Sequence, residues 1–189
     1  MKSSHYLAAD DIRCNAWLMY DTGFPCAANP DARVLILGSM PSRKSLKKAE
    51  YYGHPRNGFW PIMGELFGFN SELDYKLRLT QLREADVALW DVAFQCVRPG
   101  SMDSAIELET VVANDFETFF QRHRKIHAIF FNGRKAEELY RKLVQPNLTS
   151  EFRQLATHLL PSTSPANAGM NRSQKLEQWK IVRHTLENG

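Results

Sequence analysis

The run Val34-Leu35-Ile36-Leu37, closed by Gly38, limits the fold more than any other stretch of the chain. It is apolar throughout and β-branched at Val34 and Ile36, which fits a strand buried on both faces. In an open α/β sheet, the loop leaving the carboxyl end of such a strand is where a ligand is expected. The residues that follow suit that place. Ser39, Pro41, Ser42 and Ser45 make a small-residue loop with Arg43, Lys44, Lys47 and Lys48 along it. Next comes Tyr51-Tyr52-Gly53-His54-Pro55-Arg56-Asn57-Gly58-Phe59-Trp60, where rings alternate with polar and flexible residues. A packing segment has little use for so many polar groups among so many rings, so the stretch reads as a site.

The remaining pattern alternates strands with helices. A helix is predicted from Phe59-Trp60 through Pro61–Phe67, because proline is tolerated in a first turn, and Gly68 ends it. Another covers Asp74 to Glu84, with Leu73, Leu77 and Leu82 at helix-face spacing. Val87–Val92 reads as a second strand, and Cys96 to Ala105 as a loop turning at Pro99-Gly100. Asn114-Asp115 caps a helix over Phe116 to His123, Ile126–Phe131 is a third strand, and Asn132-Gly133 opens a helix to about Leu143. His158-Leu159-Leu160 makes a short fourth strand before Pro161. Asn171 to Leu186 makes an amphipathic helix striped by Leu176, Trp179, Val182 and Leu186. Residues 1–32 form an N-terminal extension that packs on the rest, with one short helix near Arg13 to Tyr20. Such alternation implies βαβ units, hence a three-layer α/β/α domain around a four-stranded, mostly parallel sheet. The whole of 1–189 is expected to be one domain.

Gly38 to Ser45 nearly spells a phosphate-binding P-loop after a strand. Arg43 replaces the second glycine, and Pro41 removes one of the backbone donors from which a phosphate nest is built. A nucleotide hydrolase is therefore not the preferred reading. Cys14, Cys26 and Cys96 are scattered and lack a C-x-x-C pair, which argues against a disulfide framework and an ordinary four-cysteine iron–sulfur cluster. Six dispersed histidines show no zinc spacing, so neither metal nor cofactor is expected. No apolar stretch nears the roughly 20 residues of a membrane span, and no secretory signal is evident, so the cytoplasm is the expected compartment. The net charge of +3 is too mild to identify a nucleic-acid binder. Five cations (Arg43, Lys44, Lys47, Lys48 and Arg56) do fall within the suspected site, where they suit either a phosphate backbone or a merely solvated loop.

Gly38-Ser39-Met40-Pro41-Ser42, followed by Tyr51-Tyr52-Gly53-His54-Pro55-Arg56-Asn57-Gly58-Phe59-Trp60, resembles the first motif of the uracil-DNA glycosylase superfamily. Its hypoxanthine-DNA (deoxyinosine) glycosylase branch is the most similar. Mismatch-specific uracil glycosylases share an H-P-x-N-x-F-W run but carry their catalytic Asn earlier, where this chain has Met40. Leu160-Pro161-Ser162-Thr163-Ser164-Pro165-Ala166-Asn167-Ala168 is similar to the second superfamily motif, with Leu160 where a His often stands. Both motifs follow predicted strands, the first and the fourth, so one edge of the sheet can bring them together.

The resemblance implies a base-flipping enzyme in which Asn57 orients the nucleophilic water; read locally, Asn57-Gly58 is simply a turn. It also implies base contacts from the main chain of Gly38, Ser39, Met40 and Pro41, with Phe59 as the candidate stacking platform and Tyr52 as a second candidate beside it; core packing is the alternative for Phe59 and the better reading of Trp60. DNA contacts are expected from Ser42, Arg43, Lys44 and Arg56. The loop Ser162, Thr163, Ser164, Pro165, Ala166 and Asn167 would touch phosphates, and it or Met170 would supply a wedge; the same loop could simply join strand to helix. His54 is read as a structural hydrogen-bonder. Asp91 and Asp103-Ser104 either assist or only cap and turn, an N-cap being the reading for Asp103. Lys44, Lys47 and Lys48 are too solvated for Schiff-base chemistry, so the expected activity is a monofunctional glycosylase acting on hypoxanthine in DNA, as a monomer. A broader uracil or xanthine range, a mismatch-specific glycosylase and a silent nucleic-acid-binding module remain the alternatives.

Overall fold

The computed structural model describes residues 20–189. The short helix expected near Arg13 to Tyr20 falls almost wholly outside the described residues; Tyr20 itself begins a strand. Four strands, β2 (Val34–Gly38), β3 (Val87–Asp91), β6 (Ala128–Asn132) and β7 (Ala156–Leu160), form a fully parallel sheet in the order β3-β2-β6-β7. Every residue of β2, β3 and β6 is buried, which requires helical cover on both faces and makes the sheet the middle of three layers. The expected α/β/α architecture is therefore present. Strand β7, with a mixed exposed and buried pattern, is the sheet edge.

The helices are α2 (Phe59–Phe67), α3 (Tyr75–Glu84), α4 (Phe116–Arg122), α5 (Arg134–Leu139) and α7 (Arg172–Asn188), with short α1 (Arg43–Lys48) and α6 (Ser150–Arg153). Helix α2 begins two residues before Pro61, which thus sits in its first turn, and stops at Gly68, whose φ of 75° only glycine adopts without strain. In α3, Leu82 is buried but Leu77 faces solvent, so the leucine spacing does not define its packed face. Asp115 caps α4 by accepting the Thr118 N–H. Asn171 and Gln174 close a reciprocal capping box on α7, whose Trp179 and Val182 enter the core.

Two features depart from the sequence reading. The cation-bearing segment is a helix, α1, rather than a loop: Ser42 accepts the Ser45 N–H at its start, and Ala49 ends it in the left-handed region at φ 54°. The residues after β3 do not enter a loop at Cys96 but form β4 (Ala93–Val97). This strand lies between β1 (Tyr20–Thr22) and β5 (Val112–Ala113) in a small antiparallel sheet. Backbone bonds from Val92 N–H to Gly38 O and from Ala93 N–H to Ser39 O (2.9 and 3.0 Å) seat that second sheet against the end of β2. Among the described residues no helix is long and apolar enough to cross a membrane.

Candidate active site

A cavity of about 470 Å³ opens where the carboxyl ends of β2, β3 and β6 meet the segment after β7. That is within the roughly 300–1,000 Å³ typical of small-molecule sites. Gly38, Asp91 and Asn132 end three adjacent strands and all line it, as do Ser162, Thr163 and Ser164 from beyond the fourth.

Two hydrogen-bonded links draw the motifs together. The Asn132 amide donates to Thr163 Oγ1 and accepts from Thr163 N–H, both at 2.9 Å and both buried. The Gly58 N–H donates to Thr163 O at 3.0 Å, so the residue after Asn57 is bonded directly to the second motif. Within that motif, Ser162 and Ser164 hydroxyls accept backbone N–H groups two residues on. Asn167 Nδ2 donates to Ser162 O, and Lys175 Nζ donates to Asn167 O at 2.8 Å. These bonds make the loop a rigid wall.

At the first motif, the main chain of Gly38–Pro41 is largely used by the scaffold as acceptor. Gly38 O and Ser39 O take the Val92 and Ala93 N–H groups, and Pro41 O takes Arg98 Nη2 at 2.7 Å. The Met40 N–H makes no hydrogen bond among the described residues. Arg98 is fully buried, forked onto Asp21 Oδ2 through Nε and Nη2 (3.1 and 2.7 Å), with Nη1 unpartnered.

Asp91 is 3% exposed, and its Oδ2 has no hydrogen-bond partner. Burial, and secondarily the Asp103 charge, pushes its carboxyl up to about 8 against the opposing pull of Arg98, so near neutral pH it is mostly a protonated donor. Asp103 sits at the mouth, outwardly exposed but crowded on its inner side. Desolvation raises its carboxyl too, while Ser39, Arg98 and Lys135 pull it back. The Tyr52 hydroxyl is likewise buried without a partner, and its ionisation is pushed upward by burial and by Asp91. Tyr52 holds this position at φ 54°, and its ring stacks on Phe59 with centroids 3.9 Å apart.

The family model of the uracil DNA glycosylase superfamily matches residues 25–185, which include every residue of this cavity. The chain belongs to that superfamily. Curated relatives named hypoxanthine DNA glycosylase are similar over most of its length. One from Methanosarcina acetivorans is 37% identical over 167 residues, 88% of this chain and 100% of that protein. Another from Methanosarcina barkeri is 33% identical over 158 residues, 83% and 94% respectively. A solution NMR structure of a candidate uracil DNA glycosylase from Methanosarcina acetivorans has a TM-score of 0.75 at 36% identity, covering 90% of this chain and 100% of that one.

In relation to this cavity, the residues singled out by sequence separate into groups. Gly38, Ser39, Met40, Pro41, Ser42, Tyr52, Asn57, Ser162, Thr163, Ser164, Ala166 and Asn167 share the cavity. Phe59 does not: it is fully buried behind Tyr52, and it is the tyrosine ring that faces the space. Thr163 is 2% exposed, with hydroxyl and N–H both bound to Asn132, which ties the loop to the end of β6. The Ser42 hydroxyl caps α1, and Arg43 is tied to the Arg98 carbonyl and the Ser101 hydroxyl. Lys44, Arg56 and Pro165 stay exposed outside the cavity. The Asn57 Oδ1 accepts the Phe59 N–H at 2.9 Å, an Asx-type turn, so the turn reading and the site reading apply to the same side chain. Asp103 starts a short 3-10 turn, while Met102 holds its N-cap position.

Sequence reasoning missed Asn132 and Arg98. Asn132-Gly133 reads as a helix start, although a polar residue ending a buried strand was an available signal; Arg98 reads as a loop cation and carried no comparable signal, because β4 is not evident in the sequence. Among the described residues, no group of three or more His, Cys, Asp or Glu side chains is placed to hold a metal ion.

Proposed function

We propose that this chain is a monofunctional DNA glycosylase that hydrolyses the N-glycosidic bond of hypoxanthine in DNA and leaves an abasic site. The observation that carries this reading is the joining of Asn57, the Tyr52 ring and a donor-bearing turn around one base-sized cavity, in a chain whose relatives are named for that activity.

A base inside a duplex cannot reach such a cavity, so the nucleotide must be flipped, at a cost of a few kcal/mol. Tyr52 offers a ring held flat by Phe59, against which a purine stacks. The Met40 N–H suits the O6 acceptor that distinguishes hypoxanthine from adenine, whose amino group would face a donor instead. The Phe59 N–H fixes the Asn57 amide by one lone pair of its oxygen; the second lone pair accepts a proton of the attacking water and aims it at C1′. Exposed Lys44 and Arg56 flank the cavity as phosphate ligands, with Pro165 and Ala166 at the tip of the rigid second motif as the wedge.

A lyase step needs a desolvated amine at C1′. Among the described residues, Lys175 is the lysine whose pKa burial lowers, and its Nζ is committed to the Asn167 carbonyl. The expected product is therefore an intact abasic strand. The enzyme would work as a single domain and a monomer. Cys26 and Cys96, both free thiols, fit a reducing cytoplasm.

Duplexes containing hypoxanthine, uracil or xanthine, incubated without added metal and then split into alkali-treated and untreated halves, test the reading. Alkali-dependent cleavage at hypoxanthine that disappears in Asn57→Ala, with DNA affinity retained, is the expected result. Cleavage chiefly at uracil would move the specificity, and DNA binding without cleavage would leave a binding module.

A further inference from the structure

The cavity contains an acid that the proposed function has not used. Asp91 ends β3 in register with Gly38 of β2, and it lines the cavity while being almost wholly withdrawn from solvent. A side chain on Gly38 would overlap Asp91 Oδ1 and crowd the Tyr52 hydroxyl at 3.2 Å, so the glycine leaves room for this carboxyl beside the stacking ring. Asp91 Oδ2 has no partner, although Arg98 could have neutralised it. Arg98 is turned instead to Asp21 and Pro41. A buried carboxyl without a counter-ion or hydrogen bond carries a cost that folding alone does not explain.

Resting on the base-excision reading, we propose that Asp91 is the general acid of the reaction, donating its proton to the N7–O6 edge of the purine as the N9–C1′ bond breaks. Hypoxanthine presents on that edge the two acceptors that guanine also carries. The water oxygen forms a bond to C1′, and the electron pair of the N9–C1′ bond passes into the purine. The purine takes the Asp91 proton and departs neutral, and the water's surplus proton goes to solvent. The Asp91 carboxylate left behind regains a proton from solvent once the base has gone. Asn57 and Asp91 thus divide the reaction, one orienting the nucleophile and the other neutralising the leaving group.

The groups that set the protonation of Asp91 come from each side of the cavity. Asp103 at the mouth favours the neutral form, Arg98 opposes it, and the Tyr51 and Tyr52 phenols beside it are neutral; Lys135 acts on Asp103. DNA phosphates brought by the substrate also favour the protonated acid.

The test is the single-turnover rate of hypoxanthine excision as a function of pH, measured with wild type, Asp91→Asn and Asp103→Asn. Wild type should lose rate as the acid ionises on the alkaline side. Asp91→Asn should fall about 10²- to 10⁴-fold, the span of general acid–base contributions, lose the alkaline limb and bind the duplex as before. Asp103→Asn should keep the limb and move it to lower pH, because a neighbouring negative charge is gone; this holds whether or not Asp91→Asn folds. Near-wild-type rates in Asp91→Asn, or a limb that vanishes in Asp103→Asn, would overturn the proposal. A wild-type protein that excises no hypoxanthine at any pH would overturn the base-excision reading beneath it.

Discussion

Gly38 and Asp91 are paired residues at the ends of adjacent strands, and the space a Gly38 side chain would fill is the space the Asp91 carboxyl occupies. The glycine is required for volume and not for backbone conformation, since its φ is not positive. Gly38→Ala should therefore leave the strand intact and displace Asp91 and Tyr52. Overpacking of this kind typically costs about 1–3 kcal/mol. Urea unfolding should show that modest loss, while excision falls by a much larger factor. Equal activity in the variant would mean that neither side chain needs its present position.

Asn132 makes two buried hydrogen bonds to Thr163, and its removal orphans the Thr163 N–H and hydroxyl. Each orphaned group costs about 1–3 kcal/mol. Asn132→Ala should lower stability accordingly and loosen the Ser162–Asn167 wall, weakening substrate duplex binding. Thr163→Val should lose less, because it removes one of the two bonds and keeps the N–H clamp.

Much of this was legible from the chain, for identifiable reasons. Val34–Leu37 is apolar at every position because the sheet is covered on both faces, and Gly68 and Asn171 mark helix ends by local chemistry that no distant contact alters. Helix α1 was hidden because six residues carry too little periodicity, and its four cations look the same on a solvated loop or on a helix. The β1-β4-β5 sheet was hidden because strands of two to five residues gain their meaning only from partners far away in sequence, as in Tyr20 opposite Val97. Tyr52 and Phe59 show the limit within the site itself. Both rings were visible, but only the backbone turn at Tyr52 decides which one lines the cavity and which one backs it.

Asp91 also makes a prediction about stability. Its folded pKa is about 8 against an ordinary 3.8, so between those values the folded chain keeps a proton that the unfolded chain has released. Its stabilising contribution is complete below about pH 4 and is lost as pH rises towards 8, with a slope of up to about 1.36 kcal/mol per pH unit. Asp103, raised in the same direction, adds to the trend. Unfolding free energies at pH 5 and pH 8 should differ more in wild type than in Asp91→Asn, and the variant should be the more stable protein at the higher pH. Identical pH slopes would show that the carboxyl titrates as if exposed.

The exposed cations allow a separate test of the proposed DNA contacts. If Lys44 and Arg56 each neutralise a phosphate, replacing either with alanine should reduce the slope of log affinity against log salt by about 1 and weaken binding to damaged and undamaged duplexes alike. Lys125, exposed and paired with Asp31, should leave the slope unchanged.

Arg98 links the small antiparallel sheet to the cavity-lining turn after β2, since one guanidinium holds Asp21 of β1 and the carbonyl of Pro41. The two bonds can be separated. Asp21→Asn removes the counter-charge of a fully buried guanidinium while leaving the Pro41 bond, and should cost about 2–4 kcal/mol, somewhat less than a wholly buried pair because Asp21 retains some exposure. Arg98→Met leaves Asp21 without its partner, but Asp21 keeps some exposure, so the charge left behind is a partly hydrated carboxylate and not a fully buried guanidinium. The main consequence of this substitution should be at Pro41, whose carbonyl loses its donor and whose turn then presents the Met40 N–H less rigidly. The charge variant is thus expected to unfold at lower denaturant with excision nearly intact once folded. The Met variant should hold its stability better and lose excision, chiefly through weaker productive binding of the flipped base. If the stability losses are reversed between the two, the guanidinium contributes mainly through packing, and the turn is held by its bonds to Val92 and Ala93 alone.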